Sequence, residues 1–462
     1  MFPAKTYIER RKKLREEVGS GVILLLGNSE SPMNYTDNPY HYRQDSTFLY
    51  YFGLSYSGLA AVIDVDEQKE IIFGNELTVD DIVWMGTQPT IKEKSESIGV
   101  ANIAPLAELA DVLKKAQQQN RTIHYLPPYR SEHFIMIYDL LGIKPSDITA
   151  GASEKFVVSV VEMRNSKSDE EIAEIEKAVD ISAEMHLTAY KMAKPGLTEA
   201  EIAAEVHKVA LAAGGQLSFP IIATIHGETL HNHYHGNTLK SGDMFLLDAG
   251  AETAMGYAGD LSSTMPVDAT FTERQKEIYQ IAYNAHEAAI AALKPGVPFR
   301  DIHLLACKTI AQGMKELGFM KGDVDQAVAQ GAHALFFQCG LGHMMGLDVH
   351  DMENLGEKYV GYAGEEKSTL FGIKSLRLAR PLQPGYVLTI EPGIYFIPEL
   401  IDMWKAENKF ADYINYDKVE TYKDFGGLRN EEDLLITESG ARILGKPIPK
   451  SIEDVEAIRS GV

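Results

Sequence analysis

The stretch EIEKAVDISAEMHLTAYKMAKPG (174–196), followed by LTEAEIAAEVHKVALAAGG (197–215), decides the fold of the second part of the chain, because its pattern returns about a hundred residues later. The second copy is RQKEIYQIAYNAHEAAIAALKPG (274–296), followed by VPFRDIHLLACKTIAQGMKELGF (297–319). Each copy predicts a long helix, a Lys-Pro-Gly break and a second amphipathic helix, and strand-like sequence follows each. Two such units predict a pseudo-twofold domain in which sheet packs against helices and a site lies where the halves meet.

The part of the chain before this repeat mixes strands with helices. Three stretches predict strands, and the second and third are expected to pair: GVILLLG (21–27), AAVIDVD (60–66) and QKEIIFGN (68–75). Residues 105–119 predict an amphipathic helix. This mixture indicates a separate α/β domain.

A long helix is predicted to begin at Ser168, because Ser168 and Glu171 have the spacing of a capping box. The charged stretch before it interrupts the apolar pattern. We therefore predict two domains, 1–160 and 161–462, as expected for a chain too long for one ordinary core.

Composition narrows the classes of function. The formal net charge of −22 disfavours nucleic acid and anionic membranes as partners. Cys307 and Cys339 are the two cysteines of the sequence, which excludes a disulfide framework and suits a reducing compartment. No apolar stretch reaches bilayer length and no secretory signal is apparent, so we expect a cytoplasmic protein.

Two carboxylates follow apolar, strand-like runs in the first copy of the repeat. Asp248 follows four apolar residues in MFLLDAG (244–250), and Asp260 opens a strand in GYAGDLSSTMP (256–266). Burying a carboxylate is costly unless it is paired or bound to a metal. A hairpin would bring the two side chains face to face, where they could hold one or two cations. The alternative is a pair of ordinary turn aspartates.

The segment CGLGHMMGLDVHD (339–351) carries His343 and His350, seven residues apart. Its glycines argue against a helix, and Gly346 is expected to mark a bend or bulge. The histidines are either metal or substrate groups or two hydrogen-bonded structural residues.

Two further acids stand at strand ends in the second copy. Glu391 precedes a Pro-Gly turn in VLTIEPGIY (387–395), and Glu431 enters an apolar strand in GLRNEEDLLIT (427–437). Each acid alone is equally compatible with a solvated turn.

Together these clusters predict a paired metal site with oxygen-rich ligands and a single nitrogen: Asp248, Asp260, His343, Glu391 and Glu431. Such a set favours Mn²⁺, and also accommodates Co²⁺, Fe²⁺ or Zn²⁺. Two ions there could lower the pKa of a shared water and polarise a carbonyl group. The histidines 231, 233 and 235 would lie on one face of a short strand, but they could not easily converge on one ion.

The order of these clusters resembles the pita-bread metallopeptidases, specifically the aminopeptidase P and prolidase branch. The motifs that carry the resemblance are YRQDSTF (42–48), MFLLDAG (244–250), GHMMGLDVHD (342–351) and LARPLQPGYVLTIEPGIYF (378–396). The resemblance covers nearly the whole chain. It implies a mixed α/β (α+β) architecture, with a non-catalytic N-terminal domain and a C-terminal pita-bread catalytic domain.

The resemblance also implies a role for each candidate residue. The five ligands would form a dinuclear site bridged by Asp260 and Glu431. His233 would contact substrate, and His350 would steady the scissile carbonyl and the tetrahedral intermediate. Glu391 would also shuttle a proton to the leaving nitrogen.

Two arginines match family positions as well. Arg429 would order groups around the metals, and Arg377 matches a prolidase arginine that holds the free carboxylate of a dipeptide. Cys339 departs from the pattern, because a histidine often stands there in the family.

The implied function is hydrolysis of the bond before proline at the N-terminus of a peptide, which is Xaa-Pro aminopeptidase activity. A prolidase restricted to dipeptides fits almost equally well. A pita-bread domain that has become a binding module fits less well, because all five ligand positions carry ligand types. Related enzymes form homodimers or homotetramers, so a homo-oligomer is expected by analogy.

Overall fold

The computed structural model describes residues 1–461, which form seventeen α-helices and fifteen strands. The α-helices are α1 Ala4–Val18, α2 Ser46–Phe52, α3 Val79–Met85, α4 Ile91–Glu96, α5 Leu109–Gln118, α6 Ser131–Leu141, α7 Pro145–Ile148, α8 Glu154–Asn165, α9 Asp169–Met192, α10 Glu199–Ala212, α11 Glu273–Ala292, α12 Phe299–Glu316, α13 Val324–Gln330, α14 Glu357–Val360, α15 Pro398–Ala406, α16 Tyr416–Glu420 and α17 Ile452–Ser460. The strands are β1 Val22–Leu26, β2 Ala60–Asp64, β3 Lys69–Phe73, β4 Asn102–Ala104, β5 Ile123–His124, β6 Gln216–Leu217, β7 Ile222–Thr224, β8 Met244–Ala249, β9 Ala251–Glu252, β10 Leu261–Pro266, β11 Val387–Ile390, β12 Gly393–Tyr395, β13 Gly427–Arg429, β14 Glu432–Ile436 and β15 Ala441–Ile443.

The chain divides into two units, Met1–Arg164 with Met352–Tyr359, and Asn165–Asp351 with Val360–Val462. The first transition lies four residues after the predicted boundary at 160/161. The short segment 352–359 belongs to the first unit, where the Tyr359 hydroxyl donates a hydrogen bond to Glu154 over 3.0 Å. The sequence did not predict that residues 352–359 belong to the first unit, because this depends on a contact across about 200 residues of chain.

The first unit is built on a five-stranded sheet with strand order β4-β3-β2-β1-β5. The three predicted strands are confirmed as β1, β2 and β3, and β2 pairs with β3 in antiparallel register as expected. The predicted helix at 105–119 is confirmed as a 3₁₀ turn that continues into α5. Apolar side chains of α5 pack on the sheet in one core, which includes Val22, Val62 and Leu113.

The second unit contains the predicted repeat. The helix pairs are α9 with α10 and α11 with α12, and α9 begins with the predicted capping box between Ser168 and Glu171. A three-stranded sheet follows each pair, ordered β10-β8-β7 in the first half and β11-β14-β15 in the second. Each half therefore supplies two helices and a small antiparallel sheet, which is the layout that the pseudo-twofold repeat predicts.

A buried histidine fastens α9 to the first of these sheets. His186 Nε2–H donates to the Ala249 carbonyl over 3.0 Å, and Nδ1 accepts from the Ser263 hydroxyl over 2.6 Å. Burial lowers the pKa of His186 to about 4, although the Ala249 carbonyl partly opposes this shift. The imidazole is therefore neutral at physiological pH, and both its nitrogens are satisfied.

Across residues 1–461, none of the helices combines the length and apolar character needed to cross a lipid bilayer.

The His186 contact predicts how stability depends on pH. The unfolded histidine titrates near its ordinary pKa of 6.5, whereas the folded one titrates near 4. The unfolded state therefore binds the proton first as the pH falls, so this contribution to stability is complete above pH 6.5 and is lost between 6.5 and 4. At about 1.4 kcal/mol per pKa unit, the loss is on the order of 3 kcal/mol.

The measurement is the difference in unfolding free energy between wild type and His186→Gln at a series of pH values. We expect the variant to be less stable at pH 7 and the difference to shrink below pH 6.5. His207→Gln makes the same chemical change at a half-buried position of α10, and this control should keep the loss of stability between pH 6.5 and 4 that His186 causes. A wild-type advantage that stays constant down to pH 4.5 would contradict this account.

Candidate active site and metal centre

Two strands of the first half present Asp248 and Asp260. Asp248 lies near the end of β8, opposite Ser262 of β10 and Ile222 of β7. Asp260 directly precedes β10, and its backbone N–H donates to Asp433 over 2.9 Å. Both aspartates are at least nine-tenths buried. The expected antiparallel pairing therefore brings the two carboxylates to the same end of the sheet.

The segment 339–351 is irregular, as its glycines predict, and it lies along β11. The His343 carbonyl accepts from the Thr389 N–H over 3.0 Å, and the Leu341 carbonyl accepts from the Glu391 N–H over 2.8 Å. A Cβ on Gly342 would lie 2.0 Å from the Thr389 carbonyl oxygen, so only glycine permits this approach. This pairing brings His343 next to Glu391.

The junction between β13 and β14 supplies the remaining acid. The Glu431 N–H donates to the Ser262 carbonyl over 2.9 Å, and the Ser262 hydroxyl donates to Glu431 Oε2 over 2.8 Å. Arg429 Nε–H donates to the same hydroxyl over 2.9 Å, Nη1 donates to the Tyr395 hydroxyl over 2.9 Å, and Nη2 pairs with Asp248. Glu432 turns away and pairs with Lys450 over 3.0 Å. The geometry thus separates the two adjacent acids, and Glu431 is the one that faces the site.

The five predicted ligands all line one cavity of about 300 Å³. Asp260, His343 and Glu431 each offer a ligand atom within 4.8 Å of the others. His343 Nε2 lies 3.3 Å from Asp260 Oδ2 and 3.6 Å from Glu391 Oε1. Asp248 shares the cavity wall but is engaged by Arg429.

Crowding of negative charge dominates the electrostatics of this cavity. Burial, followed by repulsion from Asp260, raises the pKa of Asp248 to about 7 even though Arg429 opposes the shift. Burial and the neighbouring carboxylates also raise the pKa of Glu391 and, more strongly, that of Glu431. Burial alone would lower the pKa of His343, but its hydrogen bond to Asp260 and the charge of Glu391 raise it.

These residues fit divalent cations. Asp260 Oδ1 is buried without a hydrogen bond, and buried polar atoms normally have partners. His343 Nδ1–H donates to the Met344 carbonyl over 3.0 Å, which leaves Nε2 as the lone-pair nitrogen that faces the acids. Carboxylates with one imidazole form a donor set for hard or borderline ions. Cations would also relieve the repulsion that raises the carboxylate pKa values.

The other predicted residues are distributed around the same cavity. His233, His350, Arg377 and Arg429 all line it, and the His343 and His350 rings are 4.3 Å apart between centroids. Residues 232–237 form no strand, so the prediction of three histidines on one strand face is wrong. His231 and His233 line the cavity, whereas His235 Nε2 is within 3.1 Å of the Ile221 carbonyl. Within residues 1–461, these histidines are not one of the groups whose ligand atoms could share an ion.

The comparisons with known proteins agree with this geometry. Residues 173–438 match the model of metallopeptidase family M24, and residues 7–124 match that of the aminopeptidase P N-terminal domain. The chain belongs to metallopeptidase family M24. It is 31% identical to the human Xaa-Pro dipeptidase, covering 98% of this chain and 91% of the relative, and 30% identical to the Xaa-Pro aminopeptidase of Escherichia coli, covering 97% and 96%.

Solved structures with similar folds come from the same family. Aminopeptidase P from E. coli with the inhibitor Pro-Leu has a TM-score of 0.81 at 27% identity, covering 100% of this chain and 99% of that one. Proline aminopeptidase P II from Yersinia pestis has a TM-score of 0.83 at 26% identity, covering 100% of both chains. The two-domain α/β architecture with a C-terminal pita-bread domain is thereby confirmed.

Some groups of this metallopeptidase site were not predicted from its sequence. Ser262 joins Arg429 to Glu431, and Tyr395 holds another nitrogen of Arg429. Ser262 could have been found, because it lies two residues after Asp260 and a strand returns to the same face every second residue. Tyr395 gave no such signal.

Cys339 also lines the cavity of this peptidase, as the half-buried end of the Gly-Leu-Gly-His segment. Burial, reinforced by the charge of Glu391, raises the pKa of its thiol to about 12. The thiolate is the nucleophilic form of cysteine. Cys339 is therefore a protonated neighbour of the site rather than an attacking group.

A buried ion pair supports the segment that carries His350. Lys167 Nζ lies 3.0 Å from Asp351 Oδ2, and both side chains are 1% exposed. The Asp348 N–H donates to the other Asp351 oxygen over 3.3 Å, and the Asp351 N–H donates to the Met344 carbonyl over 2.9 Å. The turn before His350 is therefore folded around the Asp351 carboxylate.

Removal of the Lys167 ammonium should affect both stability and catalysis. Lys167→Met leaves a buried carboxylate without its cation, which typically costs about 3–5 kcal/mol. Because His350 follows this turn, we also expect kcat to fall about tenfold or more, since small displacements in an active site are costly.

Thermal unfolding and peptidase kinetics with matched metal content test this prediction. Lys208→Met, which breaks an exposed pair with Glu205, should change neither quantity appreciably. In the double variant Lys167→Met/Asp351→Asn we expect stability to recover in part while kcat stays low. Full recovery of kcat together with stability would show that the pair does not position His350.

Proposed function

We propose that this protein is an Xaa-Pro aminopeptidase, a metallo-exopeptidase that removes the first residue of a peptide whose second residue is proline. The observation that carries the proposal is the convergence of Asp248, Asp260, His343, Glu391 and Glu431 on one cavity, in a chain that matches Xaa-Pro peptidases over nearly its whole length. The five side chains would hold two divalent ions, with Mn²⁺ as the favoured metal and Asp260 and Glu431 as bridging ligands. The bound ions would lower the pKa of a water molecule and polarise the scissile carbonyl.

The remaining cavity residues would orient the substrate and move the proton. Glu391 is partly exposed and its pKa is raised, so it can take up a proton and deliver it to the leaving proline nitrogen. His350 would donate to the scissile carbonyl oxygen as negative charge develops there. Arg429 holds Asp248 and Tyr395 in place, and the free α-amino group of the substrate would meet the acidic end of the cavity.

The apolar part of the cavity offers a surface for the pyrrolidine ring. Its apolar lining residues are Phe219, Pro220, Ile222, Leu230 and Val349. Small-molecule pockets are usually lined by apolar side chains with a few polar groups beside them. The uncharged pyrrolidine ring of proline would fit against such a lining. His233, which is exposed at the rim, would contact the substrate backbone.

A prolidase restricted to dipeptides is the second candidate, and Arg377 is the observation that favours it. Arg377 lines the cavity, and its charge lowers the pKa of Glu391 against the effect of burial. A guanidinium group in this place can bind the free carboxylate of a dipeptide in bidentate fashion. We further propose a cytoplasmic location and a homodimer or homotetramer, on the grounds given by composition and family analogy.

Substitution of the two adjacent acids tests the ligand set. Glu431→Gln removes a buried donor from the cavity, so we expect loss of bound metal and a fall in kcat/KM well beyond the 10- to 100-fold typical of outer-shell changes. Glu432→Gln is the matched control, because Glu432 pairs with Lys450 away from the cavity. It should destabilise the fold but retain the metal.

The metal content of both variants is measured by mass spectrometry, and their peptidase kinetics are compared with those of wild type. Equal metal content in Glu431→Gln and wild type would refute the assignment of Glu431 as a ligand.

Two peptides distinguish the two candidate functions. Metal-stripped protein reloaded with Mn²⁺ or Zn²⁺ is assayed with Ala-Pro and with Ala-Pro-Pro-Ala, for wild type and Arg377→Met. As an aminopeptidase P the wild type cleaves the longer peptide, and Arg377→Met changes its kcat/KM little.

Cleavage of Ala-Pro alone, with a large rise in KM for Arg377→Met, would instead establish a prolidase. Absence of cleavage with either metal would favour the binding-module alternative.

A further inference from the structure

A second group of candidate ligands lies in the core of the second unit, formed by His303, Cys307 and His333. The three side chains have no exposed surface, and each offers a ligand atom within 4.8 Å of the others. His303 and Cys307 are one turn apart on α12, so they lie on the same helix face. His333 comes from the 3₁₀ helix Ala332–Leu335, which follows α13.

The hydrogen bonding of these histidines is incomplete. His303 Nε2 lies 3.2 Å from the Gly372 carbonyl and 3.5 Å from Cys307 Sγ, whereas its Nδ1 makes no hydrogen bond. Neither ring nitrogen of His333 makes one, and the Val328 carbonyl that faces this ring does not reach hydrogen-bonding geometry. Buried polar atoms without partners are rare in folded proteins and require an explanation.

We propose that His303, Cys307 and His333 bind one thiophilic divalent cation, with Zn²⁺ as the ion that fits. Imidazole nitrogen and cysteine sulfur are both ligands that Zn²⁺ takes in proteins, and two ligands spaced four residues apart on a helix suit a single ion. The catalytic cavity differs in kind, because its five predicted ligands include four carboxylates and no sulfur. The two sites therefore favour different metals.

The protonation states are compatible with this assignment. Burial lowers the pKa of His303 to about 4 and that of His333 to about 3, so both rings are in the neutral, metal-binding form at pH 7. Burial raises the pKa of the Cys307 thiol. Binding of Zn²⁺ therefore displaces the thiol proton, which passes to solvent, and a Zn–S bond replaces the S–H bond.

The segment around Gly372 lies against both histidines of the group, with its carbonyl 3.2 Å from His303 Nε2. A Cβ at Gly372 would lie 2.6 Å from Ala334 Cβ and 3.1 Å from His333 Nε2. The backbone therefore packs directly against the ligand histidine. A cation here would tie α12 to the 3₁₀ helix and would act on stability rather than on peptide hydrolysis.

Cobalt spectroscopy of the full-length protein tests the proposal without depending on activity. Metal-stripped wild type is loaded with Co²⁺, and we expect a near-ultraviolet thiolate-to-cobalt charge-transfer band, which carboxylate and imidazole ligands alone do not produce. The band should disappear in Cys307→Ser and persist in Cys339→Ser. Absence of the band from wild type, or its loss in Cys339→Ser rather than Cys307→Ser, would overturn the proposal.

Zinc stoichiometry provides the second measurement. After loading with Zn²⁺ and gel filtration, Cys307→Ser and His333→Gln should each hold one zinc ion fewer per subunit than wild type. His286→Gln, which changes another buried histidine of this unit outside the group, should retain the wild-type content. Equal zinc content in all four proteins would refute the site.

If Cys307→Ser does not fold, the cobalt spectra of wild type and Cys339→Ser still test the proposal. Because these readouts report sulfur ligation, their outcome is independent of whether the carboxylate cavity hydrolyses peptides.

Discussion

Four carboxylates around one buried cavity are the constraint on which the rest of this structure depends. Arg429 and His343 offset part of the charge, yet the pKa of Asp248 still rises to about 7 and that of Glu431 is raised well above its ordinary value. A protein maintains such crowding only when cations complete the site or when the backbone holds the acids rigidly. The second condition applies here, because each acid lies in or beside a strand whose hydrogen bonds fix its position, and cations bound as proposed would meet the first.

The same constraint explains why the domain is built from two halves. The first half carries Asp248 and Asp260, and the second carries His343, Glu391 and Glu431, so neither half contains all five predicted ligands. Ser262 connects them, since its carbonyl and hydroxyl both bond Glu431 of the other half. A slip of one residue in β10 would turn this face away from the cavity. Metal binding at this cavity would therefore depend on correct assembly of the two halves.

Sequence patterns predicted the parts of this structure that depend on local physics. The capping box at Ser168, three of the five strands of the first sheet and the two helix pairs all follow from spacing and periodicity. The parts that depend on distant contacts were not predictable from one sequence. Residues 352–359 belong to the first unit, residues 231–235 are irregular rather than a strand, and Lys167 pairs with Asp351 across 184 positions. No local pattern encodes such partners.

The acids of the cavity and the residues proposed to contact substrate lie on different kinds of backbone. The acids of the cavity lie in or next to strands, where the ladder of hydrogen bonds leaves them little freedom. His233, His350 and Arg377, by contrast, stand on irregular segments. Loops tolerate sequence change more readily than the strands that support them. Aminopeptidases and dipeptidases can therefore share one kind of metal site and differ in the length of peptide accepted, and in the proposed function Arg377 is the residue of this chain that would make that difference.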